Sequence, residues 1–545
     1  MATSAKRTSK NASTSASADP VDESCAVPDA PSAVRAPRPS AFKELGLQKT
    51  VSLLTEEIRE LYLADEVPWI IGYSGGKDST ATLELVWMAL AELPLEQRTK
   101  TVHVISTDTL VENPVVASWV HKSMQVMSDQ AIQAGIPIKP QMLRPRVEES
   151  FWVNLIGRGY PAPRHKFRWC TERLKIRPSN RFISKIVTDN GEAILCIGAR
   201  KAESAARHRT LNRHQKHRVR DRLSPSATLP GCSIYTPIES WSNDDVWMFL
   251  MQVKNPWGYS NKDLLGMYAG ASADGECPLV VDTSTPSCGD SRFGCWVCTL
   301  VEKDKSMTAM IQNDQEKEWM LPLLELRNAL DFRSKGQGDE EIGGDHHLRD
   351  FRRMTGSVQI MENGNPVPGP YTQESRELWL TKLLQAQTWI RKNGPQDVKE
   401  IELITVEELQ EKRRIWVVDK HEMEDSLPHT YQNATGLPYP GRHLDDNLVL
   451  GADEMNELKE LCGEDAMHYE LTRELLSVER QQRSHARRSG LFDQLEKALE
   501  RHFYDDRDDA VNTARRHHSM RQEARKDRPQ VADPLQIADP DEVIS

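Results

Sequence analysis

Over its first three hundred residues the chain alternates short continuous apolar runs with longer segments of helical period. The runs at 68–73, 101–106 and 192–198 are four to seven residues long, rich in Ile and Val, and bounded by polar turns. That pattern predicts buried strands. Between and around them, 51–64, 79–91, 114–133 and 239–253 place apolar residues three and four apart, which predicts helices, the last capped by Ser242 or Asn243. Strand and helix in alternation predict an α/β fold built on a parallel sheet. In such sheets ligands bind beyond the carboxyl ends of the strands.

Past about residue 310 the texture changes to helical patterns dense in Glu, Lys and Arg. The expected organisation is therefore a disordered tail over 1–44, an α/β domain with a cysteine segment over 45–310, a helical domain over 311–504, and a charged, flexible tail over 505–545. The first tail is Ser-, Ala- and Pro-rich and has no apolar face. A Gly-Asp-Glu-rich linker is expected at 334–350, and a helix after the Pro/Gly-rich stretch 360–371.

A chain of 545 residues can bury a large core. Its 70 Lys and Arg against 81 Asp and Glu leave a formal charge of -11, which argues against a protein that holds nucleic acid by global charge alone. No run of eighteen apolar residues predicts a membrane span, and the first residues carry no apolar signal core; a cytoplasmic location is expected. Nine cysteines in such a chain are not expected to form a disulfide framework.

The first strand runs into Ser74-Gly75-Gly76-Lys77-Asp78-Ser79 and then a helix. Two glycines let the backbone approach phosphates, and the amides of the loop and helix start can bind anions. The spacing is not that of a P-loop kinase. Ser74 and Ser79 offer hydroxyls, Lys77 a countercharge, and Asp78 either a ligand for Mg²⁺ or a brace for the loop. Asp108 closes the second strand, with Glu112 and Pro114 at the following helix start, where Glu112 serves either as a cap or in function. Arg200, after the third strand, is a phosphate-binding candidate beside Lys201 and Arg207, with Glu203 to orient an arginine.

Cys288, Cys295 and Cys298 fall within eleven residues, with Arg292, Phe293 and Trp296 among them. They need a fourth ligand, for zinc or for a [4Fe–4S] cluster. Cys170 and Cys277 are the candidates; Cys232 is a third, and Cys196 belongs to a core strand. Two basic stretches suit a phosphate backbone: 207–222, with seven Lys or Arg, and Arg158, Arg164, His165, Lys166 and Arg168.

These motifs resemble the 3′-phosphoadenylyl-sulfate reductase family. Ser74–Ser79 looks like its pyrophosphatase loop, Asp108–Pro114 its acidic motif, Gly198–Ser204 its arginine motif, and Arg168–Pro178 the segment after its cysteine pair, with Trp169 in place of the first cysteine. The sequence from Cys288 to Cys298 is more similar to the DndC family of bacterial DNA phosphorothioation proteins. That resemblance implies cleavage of ATP to AMP and pyrophosphate, a [4Fe–4S] cluster on Cys170, Cys288, Cys295 and Cys298, with Cys277 a rival to Cys170, and Mg²⁺. It also implies catalytic roles for Ser74, Lys77, Asp78, Asp108 and Arg200. The partners it implies are the DNA backbone, a cysteine desulfurase and the other phosphorothioation subunits. A tRNA thiolase, an adenylyl-sulfate reductase and a nucleotide-sensing scaffold are the rival readings.

Overall fold

A computed structural model describes residues 40–165, 167–203, 208–209, 211–212, 222–226, 228–272, 293–331, 345–442, 450–483 and 490–526. Within them the fold is α/β followed by a largely helical half, as the pattern predicts. Six strands form one sheet in the order β3-β2-β1-β4-β6-β5: β1 Trp69–Gly72, β2 Val102–Thr107, β3 Ile138–Leu143, β4 Ala193–Cys196, β5 Ser224–Pro225 and β6 Cys232–Tyr235. All neighbours are parallel except the short edge pair β5–β6. In register, Ile71 stands beside Val104 on one side and Cys196 on the other, so β1 is central and Trp69, Ile70 and Ile71 are fully buried. A strand covered on both faces needs an unbroken apolar run, which is why β1, β2 and β4 could be read directly.

Helices α1 (Gly46–Leu63), α2 (Lys77–Ala91), α3 (Pro114–Gln133), α4 (Arg177–Asn190), α5 (Asn243–Gln252) and α6 (Asn261–Gly270) pack around the sheet. Ser242 caps α5 in a reciprocal box with Asp245. Asp245 also accepts from the amide of Ala41 and the hydroxyl of Ser40, and Phe42 packs edge-on against Trp241, so residues 40–42, expected in the tail, are held against the domain. Strands β3, β5 and β6 and helices α4 and α6 went unread in the sequence. Strand β3 contains Lys139, Pro140 and Gln141, which break the apolar run. Helix α4 is largely polar and buries only Pro178, Ile183 and Ile186. Helix α6 is short, with three buried residues.

Two main cores result. The first joins the sheet to α1, α2, α3, α5 and α6. The second lies among α7 (Lys305–Asn313), α8 (Leu321–Leu330), α9 (Gln373–Asn393), α10 (Val406–Arg414) and α11 (Leu427–Thr435), and it takes in Val111, residues 151–174 and Trp296. The β3-to-α4 connection therefore belongs to the helical side. Trp416 donates its indole N–H to the carbonyl of Ile156 at 3.1 Å, and Tyr371 donates its amide to Gly159 at 2.7 Å. The expected helix after 360–371 is α9, capped by Thr372.

Helices α12 (Ala452–Cys462), α13 (Ala466–Arg483), α14 (Leu491–Arg501) and α15 (Arg507–Lys526) complete the described chain. The last of these occupies ground where a flexible tail was expected: Ala510 and Val511 are buried, and Arg515 donates to the carbonyl of Gly364. The expected tail over 1–39, and the stretches 332–344 and 527–545, lie outside the described residues. Among the described residues no helix is long and apolar enough to cross a membrane.

One buried acid holds the α5–α6 turn to α2. Glu84 is fully buried and accepts from the side-chain amide of Asn255 at 3.0 Å; Asn255 also donates to Asn261. Burial pushes the Glu84 carboxyl up to about 8, so the folded state keeps its proton where the unfolded chain has lost it. Stability from this group is present below the unfolded carboxyl range and falls as pH rises toward 8, by about 1.4 kcal/mol per pH unit at most. Glu84→Gln, which cannot ionise, should therefore gain on the wild type as pH rises from 5.5 to 7.5. Equal differences in Tm at the two pH values would refute the assignment.

Candidate nucleotide and thiol site

The loop after β1 is organised by its own hydroxyls. Ser79 Oγ accepts from the amide of Ser74 at 3.2 Å and lies 3.2 Å from Ser74 Oγ, while Thr80 Oγ1 donates to the carbonyl of Gly76 at 2.9 Å. Gly75 sits at φ +71°, and a Cβ there would lie 2.4 Å from Val120 Cγ2. Both the conformation and the space therefore require glycine. Gly198, just past β4, meets backbone instead, since a Cβ would stand 2.6 Å from the carbonyl oxygen of Asp78. The strand end thus buttresses the first turn of α2.

Arg200 is buried and donates from Nε to Asp78 Oδ1 at 2.7 Å, with a longer contact to the carbonyl of Trp241. Asp78 therefore braces the loop, which is one of its two expected roles. Lys77 lies 3.4 Å from the other Asp78 oxygen. Glu203 accepts from the backbone amide of Arg200 at 2.9 Å and so fixes the turn. Lys201 pairs with Glu239.

Asp108 continues β2 by donating its amide to Leu143. Its carboxylate accepts from the amide of Leu110 at 2.9 Å and from Arg144 Nε at 3.1 Å. The first bond holds Leu110 at φ +63°, a strained conformation for a leucine. Glu112 does not cap α3: Asn113 does, accepting from Val115, with Pro114 in the first turn. Glu112 instead faces Lys175 at 3.7 Å and bridges backbone to backbone with Cys295. Asp108, Glu112, Trp119 and Trp296 line a cleft of about 1170 Å³ that continues to Trp389 and Glu408 in the helical half.

That bridge brings Cys295 to the loop after β2. The amide of Trp296 donates to Val111 at 2.9 Å and the amide of Asn113 to Gly294 at 3.3 Å. Cys295 Sγ lies 3.4 Å from Thr109 Oγ1. Burial pushes the Cys295 thiol up to about 11, against the opposing pull of Lys175. Burial also raises Cys170, with a smaller contribution from Cys298, and the proximity of Cys295 raises Lys175. Cys170, Cys295 and Cys298 thus share one electrostatic neighbourhood centred on Lys175. Arg327, buried on α8, holds the far end by donating to the carbonyls of Cys298, Val301 and Glu302. Trp169, at the position of the absent cysteine, is stacked on Phe151 and donates to the carbonyl of Pro161.

The structure separates the other thiols. Cys196 is buried inside β4, and Cys232 lies in a small apolar cluster with Ile183 and Ala193, so neither joins the group. Cys277, Cys288 and Arg292 lie outside the described residues. Among the described residues, no three His, Cys, Asp or Glu side chains are close enough to hold a single metal ion.

Of the basic stretches, Arg222 pairs with Glu57 and Glu60, and Arg164 with the buried Asp345; most of 207–221, and Lys166, lie outside the described residues. The site residues unread in the sequence are Lys175, Thr109, Arg144, Arg327 and Tyr268. Lys175 stood within the Arg168–Pro178 segment, but nothing in its spacing pointed to Glu112.

Residues 68–258 match the family model described as the phosphoadenosine phosphosulfate reductase domain. The matched stretch holds the parallel sheet and the Ser74–Ser79 loop. An uncharacterized protein of Methanocaldococcus jannaschii is 28% identical over 200 residues, 37% of this chain; the chain spans about a third (35%) of that relative's length. Among solved structures, phosphoadenylyl-sulfate reductase from Candida auris aligns with 38% of this chain and 86% of its own, at 13% identity and a TM-score of 0.24. The U34-tRNA thiolase NcsA from Methanococcus maripaludis, with its [4Fe–4S] cluster, aligns with 54% and 85%, at 13% identity and 0.25. Superpositions of that quality carry no argument about function.

The close approach at Gly198 gives a test. Gly198→Ala should displace the start of α2, lower stability by about 1–3 kcal/mol and weaken ATP binding more than tenfold. Gly72→Ala, whose Cβ would meet only Ile197 Cγ2 at 3.7 Å, is the control and should change little. Urea unfolding and ATP titration on both variants decide it; indistinguishable variants would count against the buttress.

Proposed function

We propose that this protein is the ATP-cleaving component of a DNA phosphorothioate modification system. It converts ATP to AMP and pyrophosphate and activates a backbone phosphate for sulfur insertion. The observation that carries this reading is the joining of two chemistries at adjoining strand ends: the phosphate loop after β1, and a thiol segment bonded to the loop after β2.

In this reading a non-bridging DNA oxygen attacks the α-phosphorus of ATP and pyrophosphate leaves. A sulfide-level nucleophile then displaces AMP from the DNA phosphorus. The amides of Gly75, Gly76 and the first turn of α2 orient the phosphates, Ser74 and Ser79 add hydroxyls, and Lys77 offsets charge. Arg200 and Asp78 keep this cradle preorganised, and Asp108 holds the adjoining turn. The carboxylates of Asp78 and Asp108 are both engaged by arginines, which suits a fixed Mg²⁺ poorly; the ion is taken as arriving with ATP, as part of the substrate.

Cys170, Cys288, Cys295 and Cys298 would hold a [4Fe–4S] cluster, with Cys277 the alternative to Cys170. What supports such a group is that Cys170, Cys295 and Cys298 all act on Lys175, which would balance its negative charge; as placed they do not lie close enough together to hold one metal ion. When bound, the cluster would supply thiolate-ligated iron for carrying sulfur. A cysteine desulfurase would be the sulfur source, its persulfide sulfur released as sulfide by a thiol reductant that is oxidised to a disulfide, and the basic residues of 207–222 would serve the DNA backbone beside the other modification subunits.

Two measurements test this. Protein purified without oxygen should contain about four iron and four acid-labile sulfide per chain, lost in Cys170→Ala and kept in Cys277→Ala. About one zinc and no sulfide would remove the cluster from the proposal. Separately, pyrophosphate release from ATP should rise with DNA and fall by at least two orders of magnitude in Asp78→Asn. Stimulation by tRNA and not by DNA would favour a tRNA thiolase, and ATP binding without release a scaffold.

A further inference from the structure

Tyr268 stands between the phosphate loop and the cysteine segment, and no sequence motif contains it. It lies on α6, buried, with its ring edge-on to Trp247 at 5.2 Å. Its hydroxyl oxygen accepts from the amide of Lys77, the first residue of α2, at 3.4 Å. A Cβ on Gly76 would lie only 3.2 Å from the same oxygen, so the hydroxyl rests directly on the loop. The Lys77 ammonium sits 5.5 Å from the ring centroid, within cation–π range. On its other side the ring meets Phe293 at 4.7 Å and 76°. Phe293 is two residues before Cys295, next to Gly294, whose carbonyl holds the amide of Asn113.

The Tyr268 hydroxyl therefore takes up an amide that, at a helix start, is available to an anion. A hydroxyl can accept from that amide and still donate its own hydrogen. Among the described residues it makes no other hydrogen bond. The position of the oxygen depends on the ring, and the ring is held between Trp247 and Phe293.

We propose that Tyr268 is a positioning residue for the phosphates of the bound nucleotide, and that Phe293 sets its position, so that phosphate affinity depends on the cysteine segment. The proposal rests on the nucleotide-cleaving reading above and adds to it a specific link between the two halves of the site. The hydroxyl donates to a phosphate oxygen once the nucleotide is in place, while the ring keeps Lys77 directed toward the loop. A change in the cysteine segment that shifts Phe293 shifts the hydroxyl with it.

The test is equilibrium binding of ATP, a non-hydrolysable ATP analogue, pyrophosphate and adenosine to the full-length protein, purified without oxygen, as wild type, Tyr268→Phe, Phe293→Leu and the double variant. Tyr268→Phe keeps the ring and its packing and deletes only the hydroxyl. It should weaken ATP, analogue and pyrophosphate about tenfold and leave adenosine within twofold. A merely structural role would lower Tm without separating phosphate-bearing ligands from adenosine. Phe293→Leu should weaken the same ligands, and the double variant should lose less than the product of the two single effects, because both act through one hydroxyl. Unchanged pyrophosphate binding in Tyr268→Phe, equal loss of adenosine, or multiplicative losses in the double variant would each overturn the proposal while leaving the functional reading intact. A wild type that binds neither ATP nor its analogue would overturn both.

Discussion

Two backbone hydrogen bonds, Trp296 to Val111 and Asn113 to Gly294, govern much of the arrangement. Amides taken out of water must find partners, and here each segment supplies the other's. The loop after β2 and the cysteine segment lie more than 180 residues apart in the chain, yet they close on each other as a short antiparallel bridge. With that bridge in place Cys295 stands beside Thr109, Trp296 enters the second core against Trp152, and Phe293 reaches Tyr268. Without it the thiols would have no fixed relation to the phosphate loop.

The polar parts of the site are held by pairing. Arg200 with Asp78, Arg144 with Asp108 and Lys175 with Glu112 each set a charge beside its opposite at the carboxyl end of the sheet. Burial strengthens the Arg200–Asp78 pair and makes the loss of one partner costly, while Arg144 and Lys175 are about half exposed and their pairs are partly screened by water. Glu112 shows the balance: burial raises its carboxyl, and Lys175 acts against that. Arg327 plays the same part at the other end of the thiol segment, where three carbonyls converge on one buried guanidinium.

The helical half is part of the setting of the site and not merely appended to it. Residues 151–176 leave the sheet after β3, pack among α9 and α10, and return as α4, carrying Cys170 and Lys175 on the way. Tyr371 links this excursion to the buried Asp345, which also pairs with Arg164 and Arg349. A basic residue that reads as free for a phosphate backbone in the sequence is thus engaged in structure.

The sequence by itself determined the sheet's central strands, the glycine loop and the helix that follows it, because a strand buried on both faces must be continuously apolar and a phosphate loop must be glycine-rich. It placed Asp108 and Arg200 at strand ends for the same reason, and the 114–133 range it gave for α3 matches the helix. It did not reveal β3, whose Lys139 and Pro140 hide a strand protected by its pairing with β2, nor α4, whose apolar stripe is too narrow to stand out. Only the tertiary structure decided that Asn113 and not Glu112 caps α3, that Glu203 holds a backbone amide, and that Lys175, Thr109 and Tyr268 belong to the site. These are facts of proximity between distant segments, and periodicity along a chain encodes which face a residue occupies, not which side chain it will meet.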